Sequence, residues 1–232
     1  MQLSTRLKLI AELIAPCTTL ADVGTDHGYV PVYCVSNGLC KSAVAMDVNE
    51  QPLEKARENI SKYNLQNSIT TRLSDGLDAL SKGEADCVVI AGMGGLLITN
   101  ILQKGDHLLT GDTKLVLQPM LAQKELRQYL YSNNFAIADE YVCREEDKFY
   151  NIIITHKASE QIDYTQKDII IGKNIDKTSP DVYPDYLDYK ISVCNKIING
   201  LKMSKTDKKQ ELDEVSAELE IFMTERKRLY EA

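Results

Sequence analysis

The run Leu20-Ala21-Asp22-Val23-Gly24-Thr25-Asp26-His27-Gly28 reads as an apolar strand that ends in an acid and turns through two glycines. Asp26 and His27 lie inside that turn, and 19 residues beyond Gly28 the pair Met46-Asp47 closes a second apolar strand. These are the first two ligand-contact points of a doubly wound, Rossmann-like α/β fold. Glycines let the backbone approach the ligand, and a later strand-terminal acid takes ribose hydroxyls. The acids in the turn then select the ligand. A dinucleotide would set its pyrophosphate against Asp22 and Asp26, which repel it. The same carboxylates favour a ligand carrying an ammonium and a sulfonium, and S-adenosylmethionine is such a ligand.

The 232 residues suit one sizeable domain plus an appendage. With 44% hydrophobic and 26% charged residues the chain has the balance of a globular protein rather than a disordered one. No run approaches the roughly 20 apolar residues of a membrane span. The N-terminus lacks the basic-then-apolar pattern of a secretory leader, so a cytoplasmic protein without membrane attachment is expected. The six cysteines are scattered, no CxxC occurs, and Cys34 and Cys40 stand too far apart for a metal-ligand pair. Reduced, packed thiols and no metal are expected. A net charge of −7 speaks against bulk electrostatic capture of nucleic acid, although a formal total can hide a local basic face.

Residues 4–15 read as a helix: Ser4 has an N-cap side chain, Leu7, Ile10, Ala11 and Ile14 share a face, and Pro16 follows. Strands are then expected at Leu20–Gly24, Ala43–Asp47, Ile69–Leu73, Cys87–Ala91 and Lys114–Leu117. Helices between them are expected at Val30–Asn37, Pro52–Tyr63, Leu96–Leu102 and Ala122–Ser132. Continuously apolar strands such as Val88–Ile90 imply burial on both faces of a parallel sheet. Phe135–Val142 and Phe149–His156, joined by the charged turn Arg144–Lys148, form an edge hairpin. The expectation is a seven-stranded, mostly parallel sheet over residues 1–157. Residues 158–232 form a second, helical part. Its first stretch, 158–185, is polar and turn-rich with one apolar island at Ile169–Gly172. Two helices follow, with Leu187, Ile191, Cys194, Ile198 and Leu201 on one stripe and Leu212, Val215, Leu219 and Phe222 on the other. A break from Asn199-Gly200 to Thr206-Asp207, with Thr206 as an N-cap, makes them a coiled-coil-like hairpin.

Several turns at the expected sheet rim carry residues suited to chemistry. Asp47, with Val48 after it, can hold a ribose through a bidentate fork. Asp75-Gly76 follows the third strand, where an acid can accept the hydrogens of an exocyclic amine. Ala91-Gly92-Met93-Gly94-Gly95 brings three glycines to the end of the fourth strand, enough to lay a ligand or a flipped base against the backbone. No Asn/Asp-Pro-Pro-aromatic signature stands there, which argues against methylation of an exocyclic amine. No Pro-Cys pair stands there either, which argues against attack on a pyrimidine carbon. Gln118-Pro119 ends the fifth strand on the same rim. Asp26, His27 and Tyr29 crowd the first loop.

Taken together, residues 22–31, Ile90–Gly95, Leu117–Pro119 and Glu145–Tyr150 resemble the bacterial tRNA (adenine-22-N1)-methyltransferases in order and spacing over essentially the whole chain. The resemblance implies methyl transfer from S-adenosylmethionine to N1 of an adenine in the D-arm region of tRNA. It implies a cofactor pocket of Asp22, Gly24, His27, Gly28, Asp47, Val48, Asp75, Gly76, Ala91, Gly92 and Met93. Substrate contacts would come from Arg6, Gly94, Gln118 and Pro119, with Asp26 and Tyr29 at the chemistry. A monomer or weak dimer is expected, with the helical hairpin a possible tRNA clamp. Competing readings are a methyltransferase acting on another RNA, a protein or a small molecule, and a non-catalytic RNA-binding protein. A nicotinamide dehydrogenase is disfavoured by the loop acids and the missing GxGxxG.

Overall fold

Short β-branched and apolar runs, bounded by polar turns, build the sheet of the computed structural model, which describes residues 1–204 and 206–231. The parallel strands are β1 (Thr19–Val23), β2 (Ser42–Asp47), β3 (Ile69–Leu73), β4 (Cys87–Met93) and β5 (Lys114–Pro119). An antiparallel pair, β6 (Phe135–Glu145) and β7 (Lys148–Lys157), completes one edge, giving the order β3-β2-β1-β4-β5-β7-β6. The chain winds one way from β1 to β3 and the other way from β4 to β5. A crevice therefore opens between the carboxyl ends of β1 and β4, the usual ligand position of such sheets.

Alternate residues of each strand feed two apolar layers. Val23, Met46, Ile90 and Leu117 point to one face, Leu20, Ala45, Val89 and Val116 to the other. The second face is covered by α1 (Thr5–Ile14), α2 (Tyr29–Ser36) and α3 (Glu50–Lys62); α4 (Gly95–Gly105) and α5 (Gln123–Ser132) cover the first. Ser4 caps α1, its hydroxyl accepting the Leu7 amide at 3.4 Å. The edge hairpin is tighter than expected, because only Glu146 and Asp147 separate its strands. Glu146 takes the left-handed conformation (φ 55°) that matches a tight turn to the strand twist, and the charges at Arg144 and Lys148 lie within strands.

The helical part departs from expectation more. Residues 158–185 are not simply turns: α6 (Gln166–Ile170) begins in a capping box of Thr165 and Asp168, and α7 (Ile175–Thr178) follows. The next helix, α8 (Tyr183–Lys202), runs straight through Asn199-Gly200, where a break was expected. Gly200 is exposed, and a glycine there costs about 1 kcal/mol, too little to stop a long helix packed along one side. The last helix, α9 (Lys209–Glu231), starts beyond Thr206, which is therefore no N-cap. Asp207 instead accepts the Lys209 amide at 3.0 Å. Residue 205, inside the expected break, lies outside the described residues. Asp188 bonds Arg226 at 2.8 Å and Tyr183 bonds Glu225 at 3.1 Å, so the start of α8 meets the end of α9 and the pair is antiparallel.

This helical part is joined to the sheet through a fully buried ion pair. Arg127 on α5 holds Glu140 on β6 by three bonds, Nε to Oε1 at 2.9 Å and to Oε2 at 3.0 Å, and Nη2 to Oε2 at 2.8 Å. Its Nη1 reaches the carbonyls of Ile169 and Ile170, and the Lys173 amide donates to Glu140 at 3.2 Å. Burial works against the Arg127 charge, but the adjacent Glu140 carboxylate outweighs it and holds the guanidinium above its ordinary value. Gly172 passes so close that a Cβ would sit 2.6 Å from Glu140 Oε2. Removing one partner strands a charge in the core, so Arg127→Ala is expected to cost about 3–5 kcal/mol in urea unfolding. The paired change Arg127→Met with Glu140→Leu should cost clearly less; equal losses would show that packing, not the charge, holds this junction.

Candidate active site

The loop after β1 is folded by its own glycines. Gly24 adopts φ +73°, and a Cβ there would collide with the Met93 methyl. Its amide and that of Thr25 both donate to Met46 O at 2.8 Å, tying the loop to the end of β2. Gly28 (φ +66°) opens α2 against α3, where a Cβ would lie 3.1 Å from that of Ala56. His27 between them is also left-handed (φ 59°), and Asn59 fixes its carbonyl at 2.8 Å.

The result is a cleft of about 330 Å³ over the ends of β1 and β4, bordered by Arg6, Asp22, Asp26, Tyr29, Asp47 and the backbone of Ala91–Met93. Asp22 is its deepest group. Burial pushes its carboxyl up to about 6, against the pull of the Thr25 hydroxyl that donates to it at 2.6 Å, with Asp26 and Asp47 adding a smaller upward push. Asp26 stands exposed at the mouth, 3.2 Å from His27 Nε2. Tyr29 stacks on the His27 ring at 5.2 Å and places its hydroxyl 3.3 Å from Nδ1. Asp47 turns one oxygen to the Asn49 amide at 2.7 Å.

Among the described residues bordering the cleft, Arg6 is the one cation. Its Nη1 donates to Gln118 Oε1 at 2.6 Å, and its guanidinium lies over Tyr150 at 5.2 Å. Its amide donates to Glu145 at 2.8 Å, which holds that carboxyl below the usual carboxylate range. Gln118 is fully buried and also accepts the Gly92 amide at 3.1 Å. One amide side chain thus sets both the arginine and the glycine loop.

Not every expected residue meets in this cleft. His27 and Gly28 shape its first loop from behind. Gln118 and Pro119 are buried beneath the rim rather than facing a ligand, and Gly94 packs under Leu121. Val48 is exposed on the rim. Asp75 lies by a separate hollow of about 220 Å³ beside α4 and pairs there with Lys104 at 3.1 Å. Gly76 packs its Cα against Ile101. Leu7, Val30 and Met120 border the cleft and Thr25 serves it; of these the sequence places only Met120, after Gln118-Pro119, at the rim. Among the rest only Thr25 had a legible signal, its hydroxyl three residues after Asp22. No group of three or more His, Cys, Asp or Glu side chains that could hold a metal occurs among the described residues, and their cysteines are free. No helix among them is long and apolar enough to cross a membrane.

The donor set of the cleft matches the groups of S-adenosylmethionine. Asp22 suits an ammonium, Asp47 a ribose, and Arg6 a carboxylate. Gly24 and Gly92 (φ +76°) clear the floor that side chains would fill. The residues fit the group.

Known proteins agree with this geometry. A family described as a methyltransferase domain matches residues 3–153. The tRNA (adenine(22)-N(1))-methyltransferase of Bacillus subtilis is 37% identical over 164 residues, 71% of this chain and 69% of that protein. The crystal structure of the B. subtilis M1A22 tRNA methyltransferase TrmK superposes with a TM-score of 0.85 at 30% identity, covering 97% of this chain and 99% of that one. M. capricolum TrmK, solved in complex with S-adenosyl-homocysteine, gives 0.82 at 29% identity, with 98% and 99% covered. With the acid-lined cleft at the β1–β4 switch, these matches make the chain a member of the S-adenosylmethionine-dependent tRNA (adenine-22-N1)-methyltransferase family.

Proposed function

We propose that this protein transfers a methyl group from S-adenosylmethionine to N1 of adenine 22 in tRNA, working as a monomer or weak dimer in the cytoplasm. The observation that carries the reading is the cleft itself, with a buried carboxylate, two further acids and one anchored guanidinium around a glycine floor. Bound S-adenosylmethionine supplies a methyl group made electrophilic by a sulfonium. The chain's residues do the rest. Asp22 takes the ammonium, Asp47 the ribose hydroxyls, and Arg6 the methionine carboxylate, for which its Gln118, Tyr150 and Glu145 contacts hold it ready. This assigns Arg6 to the cofactor rather than to the RNA. Val48, beside Asp47 at the end of β2, would border the adenosine end, whereas Asp75, paired with Lys104 beside a separate hollow, would reach it only on leaving that partner.

Adenine N1 presents its lone pair without prior deprotonation, so no base is needed before attack. Positive charge then grows on the purine. Asp26, exposed at the mouth, is placed to stabilise that charge or to accept an N6 proton, with His27 and Tyr29 fixing the loop that carries it. Alignment of donor and acceptor in the cleft supplies most of the acceleration. Residues 158–232 form, in this reading, a second unit that grips the RNA.

Labelled S-adenosylmethionine and unmodified tRNA transcript test the reading directly. Label should enter, and reverse transcription should arrest at adenine 22 and not when that base is changed. Cofactor binding without transfer to tRNA would overturn it.

Asp26→Asn should lower kcat by at least about tenfold with cofactor affinity held within a few-fold. A parallel loss of affinity would make Asp26 a cofactor ligand only.

The raised Asp22 carboxyl has a stability consequence. A carboxyl held near 6 in the fold and 3.8 outside it stabilises fully below the lower value and loses that contribution as pH rises through the higher one. Ionised Asp22 therefore costs the ligand-free fold on the order of 3 kcal/mol near neutral pH. Asp22→Asn should raise the melting temperature at pH 8, leave it little changed at pH 4, and abolish measurable cofactor binding. A variant that melts lower at pH 8 and still binds would refute the assignment.

A further inference from the structure

Four large apolar side chains stand in solvent just beyond the ends of β4 and β5, Leu96 and Leu97 in the first turn of α4 and Met120 and Leu121 in the loop after β5; Met120 borders the cleft, whereas Leu97 lines the separate hollow beside α4. Leu96 is 57% exposed, Leu97 50%, Met120 45% and Leu121 62%. Scattered exposed leucines need no explanation, but neighbours gathered beside a reaction cleft do.

The two segments hold each other rigidly. Met120 N donates to Met93 O and Gly95 N to Leu121 O, both at 2.8 Å. Gly95 has no room for a Cβ, which would strike Ala122 O, and Ala122 itself sits at φ 57° without being glycine. Locked this way, the Leu121 side chain projects over Gly94, 3.6 Å from where a Cβ would lie there. Met120, its neighbour, borders the cleft.

Resting on the tRNA reading above, we propose that Leu121 is a wedge that enters the D-arm stack where adenine 22 leaves it. Leu96 and Met120 would form the apolar shoulder against which the extruded base turns. N1 lies on the pairing edge of adenine, so the base must leave its stack before N1 can meet the cofactor, at a cost of a few kcal/mol. Apolar side chains inserted between base steps offset such unstacking elsewhere. A rigid leucine has this effect, whereas a mobile one would spend the gain on ordering. The occupant suits the surface: neutral, flat and apolar-faced, a base can pass Leu96, Met120 and Leu121, which offer no charge to a phosphate.

Two transcripts test the wedge, one with the native D arm and one with an abasic site opposite position 22. Leu121→Ala should lower the ratio of kcat/KM on the native transcript to that on the abasic transcript at least tenfold, and Leu121→Met should restore most of it. With 2-aminopurine at position 22 and S-adenosylhomocysteine present, wild-type protein should raise the fluorescence strongly and Leu121→Ala only weakly. An unchanged ratio overturns the wedge. So does a change in the mass of the free protein on Leu121→Ala, which would mark the surface as a contact with a second copy. If wild-type protein methylates neither transcript, the tRNA reading fails and takes the wedge with it. If it methylates both and the variant matches it, the wedge alone fails.

Discussion

Asp22 leaves β1 with its carboxylate out of water, and much of the cleft answers that constraint. A buried charge with one hydroxyl for company is costly, and its raised proton affinity records the cost. A fold selected for stability alone would place an amide or an aliphatic residue there. The carboxylate makes sense as a group whose partner arrives with the ligand, a cation that it meets in a low-dielectric pocket where attraction is strong. The left-handed turn at Gly24, the Met46 carbonyl taking both loop amides, and Met93 packed over Gly24 all keep this position closed to side chains but open to a ligand.

The opposite wall is built from much farther away in the chain. Arg6 comes from the first helix, Gln118 from β5, and Glu145 and Tyr150 from the edge hairpin, yet they form one contact set. The antiparallel hairpin is what makes this possible. It extends the sheet past β5 and supplies the side chains that pin α1 across the strand ends. The middle of β6 carries Glu140, which seats the helical part through Arg127. A disturbance of β6 would thus reach the cofactor cleft and the helical arm together.

What could be read from the sequence follows the range of the interactions involved. The succession of strands and helices, the two-sided core and the acid-glycine loop rest on local periodicity and on short spacings, and these were legible. The cleft brings together Asp22, Gly24, Asp26, Tyr29, Asp47 and the Gly92 loop because each lies within a few residues of a strand end. What the sequence hid depends on tertiary context. A packed stripe carries α8 past Gly200, which local propensity would break. The island at Ile169–Ile171 becomes helical and buried because Arg127 needs its carbonyls. Asp75 looked like a pocket residue by position, but the side chain that meets it is Lys104, one turn of α4 away from anything its own loop reveals. Gln118 was legible as a rim residue, but its burial beneath Arg6 and Gly92 could not be seen.

The charge of the cleft also constrains how an RNA can approach it. Three carboxylates facing one guanidinium make the interior hostile to a phosphodiester, whose charge would meet Asp22, Asp26 and Asp47 in turn. A nucleotide can therefore enter only base first, with its backbone kept outside the mouth. That requirement is compatible with an acidic chain, because on the proposed reading the cofactor's cations and the RNA's anions would be handled in different places. Between them, on the β4–β5 side of the mouth, stand the uncharged side chains of Leu96, Met120 and Leu121, with Asp26 exposed on the β1 side. An apolar rim neither repels the backbone passing outside nor draws it inward, and it rewards contact with a base face alone. Acids placed to meet a cofactor's cations would thereby also exclude the phosphate part of a nucleic-acid substrate.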